Sequence, residues 1–135
     1  MNTVFADTFF YLAILNPRDQ AHGQAIAESD AFTGRIITTE WVLTELADAL
    51  SDPAEREKVA GMISVLEQDK NVTIVPATSD LFHRGLSLFI QRLDKEWSLT
   101  DCISFTVMQE RRLQRSWTGD HHFEQAGFTA VFRES

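Results

Sequence analysis

Three carboxylates stand where this chain passes from one kind of element to another. Asp7 directly follows the apolar run Val4-Phe5-Ala6, Asp120 follows Ser116-Trp117-Thr118-Gly119, and Asp101 lies three residues after Ser98 at the start of an apolar helical run. Acids at such edges have two uses. Ser98 and Asp101 have the spacing of a capping box, in which a hydroxyl and a carboxylate satisfy amides that a helix start leaves without partners. Asp7-Thr8 before a helix reads equally as a cap. The second use is chemical. Carboxylates brought within a few ångströms repel, raise one another's pKa and cost stability unless a cation joins them. Oxygen ligands without cysteine pairs or a His-x-x-x-His spacing select Mg²⁺ or Mn²⁺ over zinc. Such a cation acidifies water, which is the chemistry needed to attack a phosphodiester.

The elements that must position these acids alternate. Met1 to Ala6 reads as a short buried strand, followed at once by an apolar helical run from Phe9 to Leu15 that Asn16-Pro17 stops. Arg18 to Glu28 is a second helical segment, whose His22 is expected in solvent. Gly34 to Thr39 is a strand, and a helix follows from Glu40 to Leu50 with Leu43, Leu46, Ala47 and Leu50 on one apolar stripe. Glu45 and Asp48 fall away from that stripe and Glu40 nearer to it, so periodicity does not choose among these three acids. Asp52-Pro53 is a helix start, with Val59, Met62, Ile63 and Leu66 as the buried face of a helix running to Asp69. Val72 to Val75 is a third strand. Thr78-Ser79-Asp80 caps a helix in which Phe82, Leu86, Phe89 and Leu93 repeat at helical spacing. After the Ser98 helix come a strand from Arg115 to Thr118, a short helix from His121 to Ala126 and a last strand from Thr129 to Phe132.

Alternation of strand and helix predicts a mostly parallel sheet with helices on both faces. In such a sheet all strand carboxyl ends share one rim, so Asp7 and Asp120 share it. If their strands are neighbours where the strand order reverses, both carboxylates face one crevice.

Composition narrows the partners. With 135 residues, 44% hydrophobic and 24% charged, the chain has the size and make-up of one ordinary globular domain. A net charge of −8 repels a polyanion, so a nucleic-acid substrate would need divalent cations to bridge it to the acids. The lone Cys102 excludes an internal disulfide and suits a reducing compartment. The first residues are apolar but carry Asp7 and no base before Arg18, so neither a secretory signal nor a membrane span is expected, and the cytoplasm is the expected location.

Other chemistries find no support. The six glycines form neither a dinucleotide fingerprint nor a P-loop, and there is no Gly-x-Ser-x-Gly elbow. A receiver-like Mg²⁺-binding signalling domain needs an aspartate ending its third strand and a late lysine, whereas here Pro76 ends that strand and no lysine follows Lys95. His121-His122, opening an exposed helix, is expected to be solvated. Arg84, Arg92, Arg111, Arg112 and Arg115 are the basic residues available as a group to guide a phosphate backbone. Thr8, Thr100 and Thr118 are candidates for orienting water or phosphate.

Asp7-Thr8, Glu40-Trp41-Val42-Leu43-Thr44-Glu45, Trp97-Ser98-Leu99-Thr100-Asp101-Cys102-Ile103-Ser104-Phe105 and Thr118-Gly119-Asp120-His121-His122-Phe123 together resemble the PIN-domain ribonucleases. Within that family they resemble the VapC-like toxins of bacterial toxin-antitoxin pairs. The resemblance spans Val4 to Phe132. It implies one three-layer α/β/α PIN-like nuclease domain over residues 1–135 with a five-stranded, mostly parallel sheet. It implies a metal-dependent endoribonuclease acting on single-stranded or structured RNA. The ligands and catalytic residues it implies are Asp7, Glu45, Asp101 and Asp120, holding Mg²⁺ or Mn²⁺, with Glu40 as the substitute for Glu45. A cognate antitoxin and a homodimer are the implied partners, and the alternative is a catalytically silent PIN-like domain that binds RNA or protein. Gly119 departs from the family pattern, which has a bulkier residue there, and is expected to loosen the turn before the last acid.

Overall fold

The computed structural model describes residues 2–134; Met1, the expected first residue of the first strand, and Ser135 lie outside them. Five strands form one sheet in the order β3-β2-β1-β4-β5, and every pairing among the described residues is parallel. The strands are β1 (Thr3–Ala6), β2 (Arg35–Thr39), β3 (Val72–Val75), β4 (Arg115–Trp117) and β5 (Thr129–Ala130). The helices are α1 (Thr8–Leu15), α2 (His22–Ala31), α3 (Glu40–Ala49), α4 (Arg56–Gln68), α5 (Ser79–Gln91), α6 (Leu99–Glu110) and α7 (His121–Gln125). From β1 the chain moves outward through β2 to β3, then returns to the other side of β1 for β4 and β5. Right-handed crossovers therefore put α1 to α4 on one face and α5 to α7 on the other. The packing of α1 on α2 and α3, of α3 on α4 and of α5 on α6 follows that division into three layers. Among the described residues no helix is long and apolar enough to cross a membrane.

The reversal of strand order falls between β1 and β4, which pair with Phe5 opposite Ser116 and Ala6 opposite Trp117. The condition set by the sequence is thus met. Beneath that seam the core is aromatic: Phe10 lies 4.5 Å from Trp117, and Phe123 lies 4.9 Å edge-on to Phe105 and 6.4 Å from Phe5. Trp97 packs edge-on to Phe105 at 5.0 Å. These contacts tie α1 to β4, and β1, α6 and α7 to one another, on the two sides of the sheet under the strand ends. Truncating a buried aromatic of this kind costs about 3–5 kcal/mol, so the acids above inherit their positions from a stiff base.

Several boundaries differ from those expected. Asp52-Pro53 does not open α4; Asp52 to Glu55 form turns, with the Glu55 amide bonded to the Asp52 carbonyl, and the helix starts at Arg56. The second helix begins at His22 rather than Arg18, because Asp19 ends a turn whose carboxylate accepts from the Ala21 amide. His22 is not simply solvated: its Nδ1 donates to the Ala13 carbonyl at 2.7 Å, fastening α2 to α1. β4 ends at Trp117 and β5 at Ala130, with Val131–Arg133 turning into a short 3-10 helix.

The face of α5 is the largest surprise. Its inward stripe is Leu81, Gly85 and Leu88, where the lack of a side chain on Gly85 lets Ile103 of α6 come into contact. Of the expected stripe, Phe82, Phe89 and Leu93 are exposed and Leu86 is half-buried, and Ile90 joins the outward face. Periodicity identifies an apolar stripe but not its partner.

Candidate active site

Asp7, Glu45, Asp101 and Asp120 line one cavity of about 490 Å³ on the carboxyl rim of the sheet, together with Thr8, Phe9, Glu96, Ser98 and His122. Each acid arrives on a different element. Asp7 is the N-cap residue of α1 after β1, Asp120 the N-cap residue of α7 after β4, Asp101 sits in the first turn of α6 and Glu45 is in the middle of α3.

The four share one arrangement. Asp7 Oδ2 accepts from the Thr118 hydroxyl at 2.8 Å, and Glu45 Oε1 accepts from the Thr8 hydroxyl at 2.5 Å. Asp101 Oδ2 accepts from the Ser98 amide at 3.1 Å, and Asp120 Oδ1 from the His122 amide at 2.9 Å. For Glu45, Asp101 and Asp120 no hydrogen bond to the second carboxylate oxygen is formed among the described residues, while the Asp7 carboxylate also has the Thr8 backbone amide as a partner. In each of the four, at least one oxygen is tied to the surrounding protein. Capping and site roles are therefore compatible: Ser98 and Asp101 do complete the capping box, and only Oδ2 is used for it.

Two of the three threonines singled out above act on acids rather than on water. Thr118 donates to Asp7 and accepts from the Asp120 amide at 3.1 Å, so one hydroxyl couples the two strand-end carboxylates. Thr8 holds Glu45, which is how a side chain off the apolar stripe of α3 is drawn to the rim. Glu40 is exposed and caps the segment after β3, accepting from the Ala77 amide at 2.6 Å. It lies outside the cavity.

Electrostatics record the crowding. Burial pushes the Asp7 carboxyl up to about 7 from an ordinary 3.8, the Thr118 bond opposing and the Asp101 charge adding to the rise. Glu45 is raised chiefly by burial, against its Thr8 bond and with help from Asp101 and Asp120. Asp101 is raised by burial, with the Ser98 amide and His122 opposing. Buried, mutually repelling carboxylates are the donor set that a hard divalent cation relieves. The acids fit such an ion chemically.

They do not converge on a single point. Among the described residues, the three that offer ligand atoms all within 4.8 Å of one another are Asp120, His121 and His122. Repelling carboxylates do not close to ligand spacing without a cation between them, and the cavity leaves room for one that keeps several waters.

His122 is the residue that sequence reasoning missed. Instead of standing in solvent, its ring is mostly buried, with Nδ1 at 3.1 Å from Asp101 Oδ2 and 3.5 Å from Asp120 Oδ1. Its position two residues after a strand-end acid, beside the buried Phe123, was the available signal. His121 keeps to the expectation, with its side chain 57% exposed. Gly119 has a steric reason: a Cβ there would stand 2.5 Å from the Phe9 ring, which fills the space a bulkier residue would take.

The arginines do not form a guiding group. Arg84 pairs with Asp80 and Glu110, Arg92 with Asp94, and Arg115 with Glu134. None of the five lines the acidic cavity.

A parallel sheet with this strand order and four acids at its switch point defines the class. Residues 4–129 match the PIN domain family, and the chain belongs to it. Two relatives bear the name 23S rRNA-specific endonuclease VapC20, from Mycobacterium tuberculosis strains CDC 1551 / Oshkosh and ATCC 25618 / H37Rv. Each is 27% identical over 128 residues, covering 95% of this chain and 97% of the relative. The crystal structure of M. tuberculosis VapC20, described as a sarcin-ricin loop cleaving toxin, matches with a TM-score of 0.86 at 25% identity, over 95% of this chain and 98% of that one. FitAcB from Neisseria gonorrhoeae matches with a TM-score of 0.64 at 17% identity, over 94% and 95% of the two chains, a likeness of fold.

Proposed function

We propose that this chain is a metal-dependent endoribonuclease, one PIN-like nuclease domain over residues 1–135, serving in the cytoplasm as the toxin of a toxin-antitoxin pair. The observation that carries the reading is that Asp7, Glu45, Asp101 and Asp120, from four different elements, line the same cavity, each with a carboxylate oxygen held by a hydrogen bond. Those four carboxylates would hold Mg²⁺ or Mn²⁺. When bound, such a cation acidifies water and offsets charge on the phosphate under attack. Thr118 and Thr8 each tie one oxygen of Asp7 and of Glu45, and the Ser98 amide ties one of Asp101. Phe9 and Leu12 form the apolar part of the cavity lining. No side chain need act as a nucleophile.

Ribosomal RNA is the first substrate to test, since the VapC20 relatives are named for cleaving 23S rRNA. Purified protein is expected to cut a sarcin-ricin hairpin in Mg²⁺ or Mn²⁺, and both EDTA and Asp101→Asn to stop it. Equal cleavage in excess chelator rejects the metal role. An antitoxin protein is the proposed inhibitor. For the homodimer, the outward stripe Phe82, Phe89 and Ile90 on α5, continued by Leu93 in the turn after it, is the proposed interface. Phe89→Glu is expected to shift the mass in analytical ultracentrifugation from dimer to monomer, and an unchanged mass would move the interface elsewhere.

A further inference from the structure

We propose that His122 is a positioning residue for Asp101, donating from Nδ1 to Oδ2 so that Oδ1 alone is presented to a cation in the cavity. The inference rests on the reading of Asp101 as a cation ligand given above.

The terminal torsion of an aspartate is soft and roughly two-fold, so a single hydrogen bond leaves the carboxylate plane poorly defined. Asp101 Oδ2 receives two, from the Ser98 amide at 3.1 Å and from His122 Nδ1 at 3.1 Å. The first comes from the same helix cap and the second from an element twenty-one residues later. Together they fix the plane and occupy both acceptor directions of Oδ2. The imidazole is itself held. The His122 amide bonds Asp120 Oδ1 at 2.9 Å, and the next residue, Phe123, is fully buried against Phe105 of the helix that carries Asp101. With its side chain 19% exposed, the ring is shielded enough for this bond to compete with water.

The same ring could instead be a ligand, since Asp120, His121 and His122 offer three atoms within 4.8 Å. The geometry favours positioning. Nδ1 faces two carboxylate oxygens, at 3.1 and 3.5 Å, as a donor does, so that nitrogen has no lone pair for a cation; Nε2 keeps one, and the nitrogen coupling of bound Mn²⁺ separates positioning from ligation through it.

The test compares Mn²⁺ binding by titration calorimetry in wild-type protein, His122→Phe and His122→Asn. Phenylalanine keeps the ring volume without a donor, while the asparagine amide nitrogen takes the place of Nδ1. Loss of an outer-shell partner typically weakens metal binding about 10–100-fold, so that loss is expected for His122→Phe, with most of it recovered in His122→Asn. Spin-echo spectra of bound Mn²⁺ are expected to show the same imidazole nitrogen coupling, or lack of it, in wild type and His122→Asn. The proposal is overturned if His122→Phe binds Mn²⁺ as tightly as wild type, if His122→Asn binds no better than His122→Phe, or if a nitrogen coupling disappears with His122. A wild-type protein that takes up no Mn²⁺ overturns the cation reading of the cavity as well.

Discussion

The Thr118 hydroxyl donates to Asp7 Oδ2 at 2.8 Å across 111 residues of chain, and accepts from the Asp120 amide on its other side. One oxygen atom thereby sets the relation between the carboxylates that end β1 and β4.

Removing that hydroxyl leaves a buried carboxylate oxygen and a half-buried amide unsatisfied. Thr118→Val is expected to cost about 1–3 kcal/mol in urea unfolding and to lower RNA cleavage, whereas Thr118→Ser restores both. A Thr118→Val protein as stable and as active as wild type would show that Asp7 and Asp120 are positioned by the backbone alone.

Asp101 caps a helix through Oδ2 and also lines the cavity, so the two roles separate by mutation. Ser98→Ala is expected to cost about 0.5–2 kcal/mol of stability while retaining most cleavage at a temperature where it is folded. Asp101→Asn keeps an acceptor for the Ser98 amide and is expected to lose about 100-fold or more in cleavage with a smaller change in unfolding midpoint. The reverse pattern would make Asp101 a structural acid.

The choice between the two glutamates of α3 has a direct readout. Glu45→Gln is expected to abolish metal-dependent cleavage on the same scale as Asp101→Asn, and Glu40→Gln to leave cleavage intact because its carboxylate binds the Ala77 amide outside the cavity. Loss of activity in Glu40→Gln alone would exchange their roles.

Burial holds the Asp7 carboxyl near 7 in the folded, cation-free protein, against an ordinary 3.8. The folded state then binds a proton that the unfolded chain has released, so this contribution to stability is complete below about pH 4 and is lost as pH rises through 7. Its size is on the order of 4 kcal/mol. Thermal unfolding in chelator between pH 5 and 8 is expected to show stability falling with pH, and Asp7→Asn to flatten that slope and raise the midpoint at pH 8. Divalent cation binding, which needs the carboxylate, is expected to strengthen over the same range. An Asp7→Asn slope equal to that of wild type would assign the dependence to other groups.

How far the sequence carried this description differs from residue to residue. Alternating strand and helix runs were sufficient for a parallel three-layer fold, because side-chain periodicity and turn residues are local signals. Asp7, Asp101 and Asp120 were legible for the same reason, since each stands at an element boundary marked by its immediate neighbours. Glu45 was not: it lies off the apolar stripe of its own helix, and only the Thr8 hydroxyl, thirty-seven residues away, draws it to the rim. His122 looked like a solvated helix start until Phe123 packing on Phe105 turned its ring onto Asp101. The outward face of α5 was hidden too, because two apolar stripes run along that helix and Gly85 selects the one that meets α6.

The chain by itself therefore determined which elements form and which acids end them. The tertiary structure decided which side chains meet and which oxygen of each carboxylate is tied, because those contacts join residues that no local pattern relates.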